Sequence, residues 1–189
     1  MNEWSRLSLV TAATTPVVTT VEAKRHMNVF HDDDDTLVDL YVTAATELIE
    51  GPNGIGIALR PQTWRLSLDY FPAEIRIPLG PVTGVTSVKY TDTTGAEQIV
   101  TGYRLDKDAQ PARLLPALGA SWPTICDPGA VKVEFKCGYA EVPFVLRAAV
   151  LLLAGHWYNN RETVDDTSLK KIPYGVDTIL ERYRVGRFG

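Results

Sequence analysis

The chain has 189 residues, 45% of them hydrophobic and 22% charged, with 19 basic against 23 acidic side chains and a net charge of −4. That is enough apolar material for one packed domain, or a domain with an insertion, and it excludes an intrinsically disordered chain. A pI near 5.4 argues against holding nucleic acid by neutralising phosphates, although DNA could pass nearby without being gripped.

The opening stretch, MNEWSRLSLVTAATTP, carries an acid and an arginine but no apolar run of signal-peptide length, so folding in a cytoplasm is expected. Thr19 and Glu22 then stand at capping-box spacing, with Pro16 blocking an earlier start, and predict a short helix from about Val21 to Asn28. Asp32 to Asp35 suit the positive end of a second helix dipole. That helix should run to about Glu50 and stop at Gly51-Pro52. On a helical wheel Leu37, Leu40, Tyr41, Ala44, Ala45, Leu48 and Ile49 fill one broad arc, and Asp35, Asp39, Glu47 and Glu50 share the other, an acidic outer face. The acidic run beside His31 invites a Mg²⁺ or Mn²⁺ reading. It lacks the Gly and the terminal Glu of a calcium loop, and a solvated helix start is the better reading. Gly51-Pro52-Asn53-Gly54-Ile55-Gly56 contains a G-x-G, but it follows a helix and not a strand, so it reads as a helix stop and turn.

From Arg60 the apolar pattern changes from helical to alternating: Trp64, Leu66 and Leu68 against Arg65, Ser67 and Asp69. Further strands are predicted at Glu74 to Pro78, Val85 to Thr91, Glu97 to Arg104 and Val131 to Cys137, with a hairpin turn at Thr93-Thr94-Gly95. Pro72, Pro78, Pro81, Pro111, Pro116, Pro123 and Pro128 punctuate the rest. Cys126 and Cys137 lie in no metal-type spacing and read as two reduced thiols.

Val142-Pro143 suits the entrance of a third helix, in which Phe144 to Ala154 are apolar apart from Arg147. The run is too short to span a bilayer, which needs about 20 residues. A helix apolar on nearly every side must be buried on most sides, by its own domain or by a neighbouring subunit. His156, Trp157, Tyr158, Asn159, Asn160, Arg161 and Glu162 follow, large amphipathic groups that suit either a protein interface or the cap of an ordinary core. Pro173 opens a last helix in which Val176, Ile179, Leu180 and Tyr183 keep a helical spacing. Near its end Arg182, Arg184 and Arg187 outnumber Glu181, as partners of the helix dipole or as a docking segment for an acidic partner. His26, His31 and His156 are the only histidines, and no serine or cysteine sits in a nucleophile motif, so nothing points to catalysis. The order helix, helix, sheet, helix, helix predicts an α+β chain: a small helical bundle interrupted by an antiparallel β-sheet insertion. Residues 1–59 would supply the N-terminal segment and first helices, 60–138 the insertion, and 139–189 the C-terminal helices and tail.

Several segments in order resemble the head-tail connector, or adaptor, family of tailed bacteriophages and gene transfer agents. They are VEAKRHMNV before the Asp-rich start, LVDLYVTAATELIEGPNGIGIALRPQTW, IRIPLGPVTGVTSVKYTDTTG, YRLD, the WP of SWPTI, VKVEFKCGY, VPFVLRAAVLLLAGHWYNNRE and IPYGVDTILERYRV, spanning about Pro16 to Val185. The resemblance implies a structural connector, not an enzyme: a homo-oligomeric ring, a dodecamer, beneath the portal vertex of a DNA-filled head. It would take the C-terminal segment of each subunit against the portal protein, offer its opposite face to the next neck or tail-completion protein, and let DNA pass without specific binding. No cofactor, metal or membrane is implied. The place would be the head-tail junction of the virion, after assembly in the host cytoplasm. On this reading Arg182, Tyr183, Arg184, Arg187 and Phe188 dock on the portal. Asp39, Glu47, Trp157, Tyr158, Asn160 and Arg161 are candidates for subunit contacts, the two acids because an acidic face repels its own copies and must meet a basic neighbour or water. Two other functions are weighed: a soluble small-ligand binding module with a deep pocket, and a metal-dependent enzyme built on His31 and Asp32 to Asp35.

Overall fold

Thr19 caps the first helix through both halves of a capping box. Its hydroxyl accepts from the Glu22 backbone N–H at 3.3 Å, and the Glu22 carboxylate accepts from the Thr19 N–H at 2.9 Å. The Thr19 N–H and the Thr19 hydroxyl, each donating to the Glu22 carboxylate at 2.9 Å and joined by the Arg147 guanidinium, hold that carboxyl below its ordinary range. The helix, α1 (Thr20–Met27), closes on Asn28 in the left-handed conformation. The second, α2, spans Asp35–Ile49. The computed structural model describes residues 6–126, 128–160 and 174–185.

The buried line of α2 is Val38, Val42, Ala45 and Ile49, which differs from the predicted arc. Leu40 and Leu48 are exposed, because α1 and α3 meet the helix on a narrower stripe than its apolar composition suggests. Glu50 also departs from the expected outer face. It turns inward and accepts the Leu59 N–H at 2.6 Å, satisfying a donor just past the helix stop.

Among the described residues eight strands follow or precede the helices: β1 (Leu7–Thr11), β2 (Gln62–Leu68), β3 (Ile75–Ile77), β4 (Val82–Thr91), β5 (Glu97–Ile99), β6 (Tyr103–Asp106), β7 (Ala112–Pro116) and β8 (Val131–Cys137). They form a five-stranded sheet in the order β1-β2-β8-β4-β5 and a three-stranded sheet in the order β3-β7-β6, with every pairing antiparallel. In β8 the residues Val131, Val133, Phe135 and Cys137 are buried and the ones between are not, so the alternation seen in the sequence is the alternation of the sheet. The expected strand from Glu97 to Arg104 divides: β5 pairs with β4, Val100 donates to the Val88 carbonyl, and β6 starts in the other sheet. The class is α+β, helices with antiparallel sheets, as the pattern predicts.

Two apolar clusters hold these layers. One gathers Val18, Val38, Ile49, Leu59, Leu146, Leu153, Val176 and Leu180 from the helices and the segments beside them. The other gathers Leu66, Ile75, Ile77, Val88, Leu114, Val133 and Phe135 from the sheets. The helix α3 (Phe144–Asn159), with Pro143 at its N-cap position, lies against α1, α2 and α4 (Tyr174–Tyr183). Pro173 and the stretch before it lie outside the described residues. Both cysteines are free thiols, and burial, aided by the Glu50 charge, pushes the Cys137 thiol up to about 12.

Candidate interaction surfaces

Leu146, Ala149, Val150, Leu153 and Ala154 carry α3 into the helical core, but they account for only one side of a helix that is apolar nearly all round. On the other side Phe144 is 75% exposed, Val145 47% and Leu152 38%, with exposed Ala148 between them. Val145, Ala148 and Leu152 share one stripe by helical spacing. Among the described residues, therefore, the chain's own domain leaves this side of the helix exposed. Arg147 borders the stripe, ion-paired to Glu22 and lying 6.0 Å from the centroid of the Phe144 ring. No helix among the described residues is long and apolar enough to cross a membrane.

The residues expected at subunit contacts occupy several positions. Trp157 is half-buried and packs on Tyr41, ring centroids 6.5 Å apart, while the Tyr158 hydroxyl donates to Asp34. Asn160 is exposed and its amide donates to the His156 carbonyl at 2.7 Å, finishing the helix. Asp39 accepts from the Thr20 hydroxyl at 2.6 Å, and Glu47 lines an open cleft of about 430 Å³ with Arg60 and Trp64. Arg161 lies outside the described residues. The aromatic end of α3 thus has partners within its own bundle, and the bare apolar face lies nearer the other end of that helix.

Lys24 ties two carboxylates of the acidic run together. Lys24 reaches Asp32 at 2.6 Å and Asp35 at 2.5 Å; those contacts raise the lysine's pKa and lower that of Asp32. His31 lies 3.9 Å from Asp33. Among the described residues no three His, Cys, Asp or Glu side chains gather as a metal site would require, so a metal-dependent enzyme gains no support from this run.

At the C-terminal end Tyr183 is half-buried against the helical core, and the Val185 N–H donates to the Ile55 carbonyl at 2.9 Å. Arg184 pairs with Glu181 at 3.4 Å. Arg182, Tyr183 and Arg184 line a cleft of about 530 Å³ together with Lys107, Pro111 and Tyr139. Arg187 and Phe188 lie outside the described residues. Sequence reading missed Lys107 and Tyr139, for which no local signal exists: three distant segments meet there only once the second sheet is in place. It also missed a stack at the end of the five-stranded sheet away from the helices, where Phe71 lies 5.0 Å from Trp122 and meets Tyr90 edge-on.

The sequence model of a family described as phage gp6-like head-tail connector protein matches residues 130–184, from the start of β8 through α4. Among solved structures, a chain from the neck of an empty GTA particle computed with C6 symmetry is 30% identical, with a TM-score of 0.80, over 97% of this chain and 97% of that one. A chain from the virion of a native gene transfer agent particle is 27% identical, with a TM-score of 0.77, over 97% of each. A third, from the neck of a native GTA particle computed with C12 symmetry, is 29% identical, with a TM-score of 0.69, over 96% of this chain and 98% of that one. The comparison with curated proteins returns no match.

Proposed function

We propose, because the chain belongs to the phage head-tail connector family, that it is a structural component of the neck of a tailed, phage-like particle and works there as a closed ring beneath the portal. The observation that carries this is the likeness to a neck chain along 97% of both chains at 30% identity, which covers the helices and both sheets alike. A relative in a neck of C12 symmetry supports a ring of twelve copies. The exposed apolar side of α3 adds a physical reason: a patch on one copy that fits a different patch on the next generates a closed ring when the rotation fits. No catalytic step is proposed.

The tail divides between two tasks. Tyr183 and Val185 are built into the bundle, so docking on the portal falls to the residues beyond, Arg187 and Phe188, which pair a cation with an apolar anchor. DNA passes through the ring without being held, since a chain of net charge −4 has no excess of basic groups to neutralise the phosphates.

One experiment with three readouts tests this. Purified protein, alone and mixed with the purified portal of the same particle, is sized by light scattering and imaged. Rings are expected, attached to the portal end-on. Duplex DNA at about 150 mM salt should not migrate with them, and sub-micromolar binding would contradict the conduit role. A chain lacking residues 186–189 should melt normally but no longer sediment with the portal. Monomers alone, at every concentration and with portal present, would sink the connector reading.

A further inference from the structure

The turn between α1 and α2 carries a projecting aromatic ring. Val29 is buried and its N–H donates to the Lys24 carbonyl, which fixes the backbone, and the next residue, Phe30, is 87% exposed. Asp32 and Asp33 follow with side chains 91% and 96% exposed. A phenylalanine left in water beside the Asp33 carboxylate, and beside Asp32, which Lys24 holds at 2.6 Å, is an apolar anchor with an acidic collar. Burying such a ring removes roughly 150–250 Å² from water.

The cleft of about 530 Å³ beside α4 has the opposite character. Tyr139, Tyr183, Pro81 and Pro111 give it apolar walls, and Lys107, Arg182 and Arg184 stand in it. No carboxylate is among its described lining residues, in a chain with more acids than bases. Glu181 pairs with Arg184, and no described residue pairs with Lys107 or Arg182.

These two features lie at opposite ends of the bundle. Phe30 precedes the start of α2, whereas the cleft includes Ile57 and Val185, which are tied to the chain just past its end. The 15 residues of α2 span about 22 Å at the helical rise, so Phe30 cannot reach the cleft of its own chain. We propose that the cleft receives the Phe30 to Asp33 turn of a second copy, the phenyl ring between the tyrosines and prolines and the Asp33 carboxylate against Lys107 and Arg182. The contact joins unlike patches, so it repeats head to tail and sets the direction of travel around a ring. It rests on the ring reading above and adds to it the partner surfaces. One ring side chain is an anchor and not a whole interface, which needs about 800 Å² from each partner; the bare side of α3 would supply more of the area.

The test is a mutant cycle on the full chain, with the assembled fraction read by sedimentation velocity across concentration, portal included if assembly needs it. Phe30→Ser should raise the concentration for half-assembly about tenfold or more. Lys107→Glu and Asp33→Lys should each raise it roughly fivefold or more, and the two together should recover most of that loss. Thermal melts within a few degrees of wild type exclude misfolding as the cause, and recovery in the charge-swapped chain excludes it independently. Assembly of Phe30→Ser at the wild-type concentration, or a double variant no better than its parents, overturns the contact and leaves the ring standing. Loss of portal binding with normal rings assigns the cleft to the portal and overturns it too. A wild type that never assembles overturns the ring reading, and this contact with it.

Discussion

A Val145→Glu, Leu152→Glu double variant is expected to remain a folded monomer and to form no rings. Val145 is 47% and Leu152 38% exposed, and the core side of α3 is carried by Leu146, Ala149, Val150 and Leu153, so the substitutions give up part of a contact at the edge of the bundle and leave its core in place. Two changes at half-covered positions should cost about 1–2 kcal/mol together, lowering the melting temperature by about 2–8 °C and leaving the chain folded. Assembly is affected quite differently. A carboxylate taken from water into an apolar contact without a partner costs several kcal/mol, and each 1.4 kcal/mol is about a tenfold change in association. Two per subunit, repeated around a ring, should move assembly out of the accessible concentration range. Sedimentation of the variant beside a melting curve decides it. Rings at the wild-type concentration would mean that the stripe faces water in the particle, and some other surface would have to join the copies.

That stripe marks where sequence reading stops. The apolar run from Phe144 to Ala154 shows that α3 needs cover on most sides, but only packing shows which side its own bundle leaves bare. Local features were legible. The Thr19 and Glu22 pair acts across three positions, and β8 writes its burial into the sequence as Val131, Val133, Phe135 and Cys137. What escaped depends on distant partners. The LSLVT of β1 is mostly exposed, and its strand conformation comes from pairing Leu7 with Leu66 and Leu9 with Trp64, more than fifty positions away. Pro111 and Pro116 hide β7, since prolines signal an interruption; yet Pro116 sits at the end of the strand, where a missing N–H matters least, and the residues before it pair on both sides with β3 and β6. The candidate contacts follow the same division. Trp157 and Tyr158 stand out in the sequence because they are large, and the fold gives both a partner on α2 or just before it. Phe30 and Lys107 are unremarkable in the sequence; their exposure and charge acquire meaning only from the places where α2 and the second sheet put them.

Replacing Gly138 by alanine should cost the fold itself. Gly138 follows the last residue of β8 and leads into α3, so the connection between sheet and bundle passes through it. Its φ of +110° is one that a side chain makes costly, and a Cβ there would lie 2.0 Å from the Arg60 carbonyl oxygen and 2.9 Å from the Pro61 nitrogen. Those are backbone atoms of the opposing segment, entering β2, and they cannot rotate away as a flexible side chain would. Nor can Gly138 move freely, because its N–H donates to the Pro81 carbonyl at 2.9 Å and Cys137 beside it is paired with Gln62 and Val82. To admit the methyl group, β2 and β8 would have to separate at their junction with the helices, straining the conformation and the ladder together. A loss of about 4 kcal/mol or more is expected, a large share of the 5–15 kcal/mol typical of a domain, lowering the melting temperature by about 8–16 °C or preventing folding. Gly84→Ala is the control: it lies in β4 with open space where its Cβ would stand and no positive φ, so its melting temperature should stay within a few degrees of wild type. A Gly138→Ala chain that melts with that control would show that the strands part easily here, and the placing of α3, with its exposed stripe, would then have to come from the helical core alone.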